Sequence, residues 1–261
     1  MRSKQLHLFT AALACFIFIS CEKTTEQIEP GPPLSDYLPL QVGKYITYRL
    51  DSTIFTNFGT QNATHYYEEK QIVDAKIPDA SGRDSYRVLR FLRDTSGTSS
   101  WSAAGTYFIT PTDKTVEVID NNLRIIKLIS PIKQDNTWKG NRYLPDEAYS
   151  SLYKFGNDFL MDDWDYTYSS IDGSLTLKGK TYNDVVTVDG IDEEFNANTE
   201  TFNVISSSSI GYVNRMKDVY AKNLGLIYQE FIMWEYQPPN ASNPVGGKVG
   251  FGIKRSIIDH N

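Results

Sequence analysis

From residue 37 onward, apolar and polar positions alternate with period two. In "LPLQVGKYITYRLDS", Ile46, Tyr48 and Leu50 share one side, and Tyr45, Thr47 and Arg49 share the other. This is the pattern of a strand with two unlike faces. Further strands are predicted in "THYYEEKQIVDAKI", "SYRVLRFLRD", "GTYFIT" and "YNDVVTVDGID", and the chain closes on "GGKVGFGIKRSII". The segment with arginines at 87, 90 and 93 is read as a strand because of its neighbours. "KTVEVIDNNLRIIKLIS" predicts a hairpin turning at Asn121-Asn122, and "WDYTYSSIDGSLTLKG" one turning at Asp172-Gly173, because these residue types tolerate positive φ. "GYVNRMKDVYAKNLGLIYQEFIMWEY" predicts two long strands joined near Asn223 to Gly225. The single helical candidate is Pro145 to Phe155, with a proline and two acids at its start. Together these predict an all-β domain: an antiparallel meander forming a curved sheet, half-barrel or barrel, with at most one short helix.

The last two long strands are apolar on both faces. Leu226, Tyr228, Ile232 and Trp234 fall on one, with Glu230 among them. Ile227, Phe231 and Met233 fall on the other, with Gln229. A strand with one wet face alternates more cleanly, so something must cover the second face. The expectation is that one face packs the core and the other lines a concave pocket, with Trp234, Met233 and Tyr228 as candidate ligand-binding residues.

The first 36 residues follow a different pattern. Arg2 and Lys4 precede an apolar run from Leu8 to Ile19, too short to cross a bilayer as a stable helix. Phe18-Ile19-Ser20-Cys21 then resembles the bacterial lipobox, with Phe18 where leucine is usual. The resemblance implies cleavage before Cys21 and lipidation of its thiol, by palmitate or a similar acyl chain, anchoring the mature protein to a membrane. Cys15 leaves with residues 1–20, so the mature domain keeps no free thiol for a disulfide, a thiolate metal site or a nucleophile. Residues 21–36, with "PGPP" and no aromatic side chain, are expected to be a flexible tether, and 37–261 one antiparallel β domain.

Composition narrows the function. The formal net charge is −6, and losing Arg2 and Lys4 takes it to −8, which argues against nucleic acid as a partner. Only His65 and His260 survive processing, and no Gly-x-Ser-x-Gly elbow or His-x-x-x-His pair is present. The expectation is therefore no catalytic residue, no cofactor and no metal. Asp162, Asp163 and Asp165 are close enough in sequence to raise the question of calcium, but the spacing fits no EF-hand loop. Trp101, Trp138, Trp164 and Trp234 raise the question of stacking on sugar rings. Asp51-Ser52-Thr53 resembles the short O-glycosylation signal of Bacteroidota, with Ser52 as acceptor.

"PLQVGKYITY" at 39–48 and "VYAKNLGLIYQE" at 219–230 resemble the opening and closing signatures of a broad, uncharacterised group of Bacteroidota-type envelope lipoproteins. Their pattern is Pro-Leu-x-x-Gly before an aromatic strand, here Pro39, Leu40, Gly43, Tyr45 and Tyr48. Near the end it is Tyr-Ala-x-x-x-Gly-Leu-Ile, here Tyr220, Ala221, Gly225, Leu226 and Ile227. "SPIKQDNTWKG" at 130–140 echoes the opening weakly, without its glycine, and leaves open two related halves joined near 130–165. The resemblance implies a curved antiparallel sheet like the half-barrels of lipoprotein carriers, an outer-membrane location facing either side, and no catalytic residues. The expected function is a lipid-anchored, non-catalytic binding or scaffold module. Its partner is then an apolar small molecule or an envelope protein. A surface glycan-binding accessory is the alternative, and a hydrolase is less favoured.

Overall fold

A computed structural model describes residues 31–156, 160–241 and 243–261 of the chain. The expected leader, Cys21 and most of the expected tether lie outside the described residues. The first element among the described residues is a four-residue helical turn, Leu34–Tyr37. Six strands follow: β1 (Tyr45–Thr56), β2 (Gln61–Pro78), β3 (Asp84–Asp94), β4 (Ser102–Pro111), β5 (Thr115–Asp120) and β6 (Leu123–Ile129). After a long connection come β7 (Thr137–Lys139), a 3-10 turn (Met161–Asp163), β8 (Asp165–Leu177) and β9 (Lys180–Phe195). A two-stranded hairpin, β10 (Ala197–Asn198) and β11 (Asn203–Val204), precedes β12 (Gly211–Ala221), β13 (Gly225–Gln237) and β14 (Gly247–His260).

Twelve strands form one antiparallel sheet in the order β6-β5-β4-β3-β2-β1-β14-β13-β12-β9-β8-β7. Within each arm the strands pair in chain order, β1 to β6 in one and β7, β8, β9, β12, β13 and β14 in the other, and the arms join where β1 pairs with β14 along Ile46–Ile54. The sheet curls until its edges meet. The Ile126 N–H on β6 donates to the Gly140 carbonyl just past β7 at 2.8 Å. The Tyr168 hydroxyl of β8 accepts from the Ile129 N–H at 2.8 Å and donates to its carbonyl at 2.6 Å. The all-β expectation of a barrel-like meander is met. A barrel of this many strands is too wide for its own side chains to fill.

Three parts of the sequence reading need correction. Pro145–Phe155 forms consecutive turns, not a helix. Its aromatics reach across to the sheet: Tyr149 and Tyr153 pack on Phe251 with ring centroids 5.6 and 5.4 Å apart. That contact outweighs the weak local helix preference of a short segment. Asp172 has φ 54°, as its residue type suggested, but it sits in a bulged stretch of β8. The true turn is Lys178-Gly179, also left-handed, between β8 and β9. Finally, the folded domain begins before Tyr37. Leu34 and Tyr37 are both buried in the main core, and the Asn223 N–H donates to the Asp36 carbonyl at 2.6 Å. Asn121-Asn122 and Asn223 do take left-handed conformations at the expected hairpins.

The main core lies inside the barrel and includes Leu128, Tyr168, Val188, Met216 and Met233. A second cluster surrounds Tyr48, Ile227 and Ile257. A third lies under the β10–β11 hairpin, where Phe202 and Ala197 cover Ile232, Trp234, Tyr236 and Val213.

Candidate functional site: a cavity crossed by a polar belt

The barrel holds a cavity of about 710 Å³ that is partly open to solvent, within the range of roughly 300–1,000 Å³ usual for small-molecule sites. Leu38, Pro39 and Leu40 border it where β1 begins, and Ala148, Tyr149, Leu152 and Tyr153 border it from the segment after β7. The sheet supplies the wall between. Strand alternation sends Val88 of β3, Ile109 of β4, Phe231 of β13, and Phe251 and Ile253 of β14 inward.

Across this apolar wall runs a belt of charged and amide side chains. The Arg90 Nη2 donates to Asp120 Oδ2 at 2.8 Å, and its Nε lies 3.2 Å from Glu69 Oε1. Glu69 also takes Arg255 Nε at 3.0 Å and Gln71 Nε2 at 2.5 Å. The Tyr107 hydroxyl donates to Gln71 Oε1 at 2.7 Å. Arg255 Nη1 donates to Gln229 Oε1 at 2.5 Å, and Gln229 Nε2 donates to Asp218 Oδ1 at 2.7 Å. Asp218 then takes Lys127 Nζ at 2.9 Å and the Tyr220 hydroxyl at 3.2 Å. Lys127 is on β6 and Asp218 on β12, in opposite arms of the sheet, so this ion pair spans the interior.

Glu69 and Asp218 are both 0 % exposed, and taking such charges out of water costs several kcal/mol each unless they are paired and hydrogen-bonded. The belt meets that condition, matching Glu69, Asp120 and Asp218 against Arg90, Lys127 and Arg255. Burial opposes the charge on Arg90, but the Asp120 and Glu69 carboxylates outweigh it and its pKa is raised. Burial also pushes the Tyr107 phenol up, so it remains a neutral donor.

The residues singled out from the sequence lie elsewhere. Trp234 is fully buried on the outer face under the hairpin, 5.9 Å from the Phe55 ring centroid. Met233 points inward but is sealed in the core. Tyr228 is outer-facing and donates to Glu230 at 3.0 Å. None of the three lines the cavity. Both faces of β13 are apolar because one meets the barrel interior and the other meets the hairpin, which period two alone could not distinguish. Leu226, Gln229 and Phe231 are the cavity residues on that strand.

Of the four tryptophans, Trp138, Trp164 and Trp234 are buried, and Trp101 is covered by Arg93 at 4.3 Å. No exposed, coplanar stacking platform forms among them. Asp163 and Asp165 both pair with Lys139 Nζ, at 2.9 and 3.0 Å, while Asp162 sits in the 3-10 turn. Among the described residues no group of three potential ligands is placed to hold a metal. Ser52 is half-buried and lines the cavity in mid-β1. His65 pairs opposite Ser52 and His260 opposite Ile46, on different neighbours of β1. The belt itself was missed. Its available signal was a lone polar residue on an inward apolar face: Asp218 between Met216 and Tyr220, and Gln229 before Phe231.

No family model matches the chain, and no curated protein matches it. Among solved structures, a domain from Vibrio parahaemolyticus named for outer membrane lipoprotein sorting is 10% identical. That match covers 84% of this chain and 85% of that one, with a TM-score of 0.18. A DUF1329 family protein from Desulfovibrio piger is 11% identical over 88% of this chain and 93% of that one, also with a TM-score of 0.18. At that score neither likeness bears on the fold or on the site.

Proposed function

We propose that the chain is a lipid-anchored envelope protein that acts by binding, not by catalysis, and holds an amphipathic small molecule inside the barrel. The observation that carries this reading is the 710 Å³ cavity, apolar along most of its wall and crossed by a buried polar belt. The belt is an expensive way to stabilise a core, since buried ion pairs often contribute less than apolar residues of the same volume. It is better explained as the polar part of a recognition site. Catalysis is disfavoured because the described residues around the cavity include no histidine or cysteine, and each belt carboxylate already accepts from a charged partner. The anchor rests on the resemblance of Phe18 to Cys21 to a lipobox, and the outer-membrane location on the Pro39–Tyr48 and Tyr220–Ile227 motifs.

The test uses the mature chain carrying Cys21→Ser, which removes the lipid acceptor, and a neutral environment-sensitive dye, N-phenyl-1-naphthylamine. Saturable binding is expected at one site. Ile253→Asp, which puts an unpaired charge on the cavity wall, should abolish it while the chain still unfolds cooperatively. Absence of saturable dye binding by the parent chain would refute the cavity reading.

A further inference from the structure

We infer that the belt selects an anionic head group, so the ligand is a long-chain amphipath ending in a carboxylate. This rests on the cavity-binding reading above and adds the chemistry of the head. A guanidinium carries five N–H donors and an ammonium three. Within the belt, hydrogen bonds occupy one donor of Arg90, two of Arg255 and one of Lys127. The acceptors are more fully engaged: Glu69 takes Arg255 and Gln71 and faces Arg90, and Asp218 takes Lys127, Gln229 and Tyr220. Arg90 Nε is buried and makes no hydrogen bond of acceptable angle, although Glu69 lies 3.2 Å away. The belt is thus donor-rich, and a guest that brings an acceptor completes it. A guest that brings a cation meets carboxylates already committed.

The most replaceable partner is Asp120. It ends β5, its side chain is 36% exposed, and it holds Arg90 by one hydrogen bond. A ligand carboxylate can take its place on the Arg90 fork, where bidentate pairing is available, and Asp120 can turn to water. The Tyr107 ring lies 5.0 Å from the Arg90 guanidinium and fixes its plane. Phe231, Phe251 and Ile253 continue the cavity wall along β13 and β14 as a surface for an alkyl tail.

Displacement of N-phenyl-1-naphthylamine from the Cys21→Ser chain by hexadecanoate, methyl hexadecanoate and hexadecylamine, each below its micelle concentration, tests this. The free acid should displace the dye at least about ten-fold more effectively than the ester, and the amine should be weakest. Arg90→Gln should reduce the acid-to-ester ratio to near one. Asp120→Asn, at a part-exposed site where folding is safe, should raise it several-fold by freeing Arg90. Equal displacement by acid and ester, or preference for the amine, with the dye still bound, would overturn the anionic-head assignment and leave the cavity reading standing. An unchanged ratio in Asp120→Asn would also overturn it, even if Arg90→Gln fails to fold. If the dye itself does not bind, the cavity reading falls and this inference falls with it.

Discussion

Arg87, Arg90 and Arg93 recur every third residue, and in a strand that spacing puts the middle one on the opposite face from the other two. Arg87 and Arg93 accordingly pair with Asp74 and Glu68, while Arg90 enters the barrel. The spacing was visible in the sequence, but the direction of inward was not, because both faces of β3 carry apolar residues beside the arginines. Trp234 illustrates the same ambiguity. Its Nε1 is buried without an acceptor, so its worth is packing alone. Trp234→Ala should cost about 3–5 kcal/mol in chemical denaturation. Trp234→Phe should cost markedly less, because it keeps a six-membered ring and the three heavy atoms it removes include an unpaired donor whose burial is itself unfavourable by about 1–3 kcal/mol. Neither should change the acid-to-ester ratio. At the β3–β4 turn, hydrogen bonds from the Ser96 and then the Ser99 hydroxyls hold the Asp94 carboxyl down to about 2. Its folded value lies below the unfolded one of about 3.9. Its stabilising effect is therefore complete above about pH 4 and is lost as pH falls through about 2. Titration followed by carboxyl carbon NMR should place the Asp94 midpoint near 2, and Ser96→Ala should move it upward.

At the scale of elements, alternation and turn chemistry located most strands, because β pairing here follows chain order and needs little long-range information. The exceptions share one cause: a local preference overridden by a distant contact. The residues 145–155 have helix-start chemistry, yet Tyr149 and Tyr153 gain more from the Phe251 ring than an isolated short helix gains from its hydrogen bonds. Positive φ at Asp172 serves a bulge because β8 must bend there to follow the curl of the sheet. The upstream boundary fails likewise, because Leu34 is the first core side chain among the described residues although proline-rich sequence precedes it. Leu34→Ala should lower stability by about 2–5 kcal/mol. A chain starting at Gly31 should melt within a few degrees of the mature chain, whereas one starting at Leu38, which loses Leu34 and Tyr37, should melt far lower. Equal melting of all three would show that the helical turn does not pack on the domain.

At the scale of the whole molecule, the fold was legible and the site was only half so. A cavity was anticipated from two apolar faces on β13, and the structure supplies one. Its wall, however, is drawn from β1 to β6 and β12 to β14, and the belt that crosses it joins residues as far apart in sequence as Glu69 and Arg255. No single stretch encodes that, since β2 contributes two charged or amide side chains and β3, β5, β6, β12, β13 and β14 one each, every one set among apolar neighbours. The proposed lipidation site, Cys21, lies outside the described residues. Cys21→Ser should end labelling by a fatty-acid analogue and release the protein from membranes, and persistent labelling of that variant would refute lipidation at this residue. The proposed function requires the barrel to hold a guest. Native mass spectrometry of the Cys21→Ser chain, purified without detergent from cells, tests that most directly. The account predicts a second population heavier by a small molecule, released on unfolding and identified as an amphipath, and lost in Ile253→Asp. A single population at the mass of the bare chain, which also takes up no added hexadecanoate or neutral dye, would contradict it.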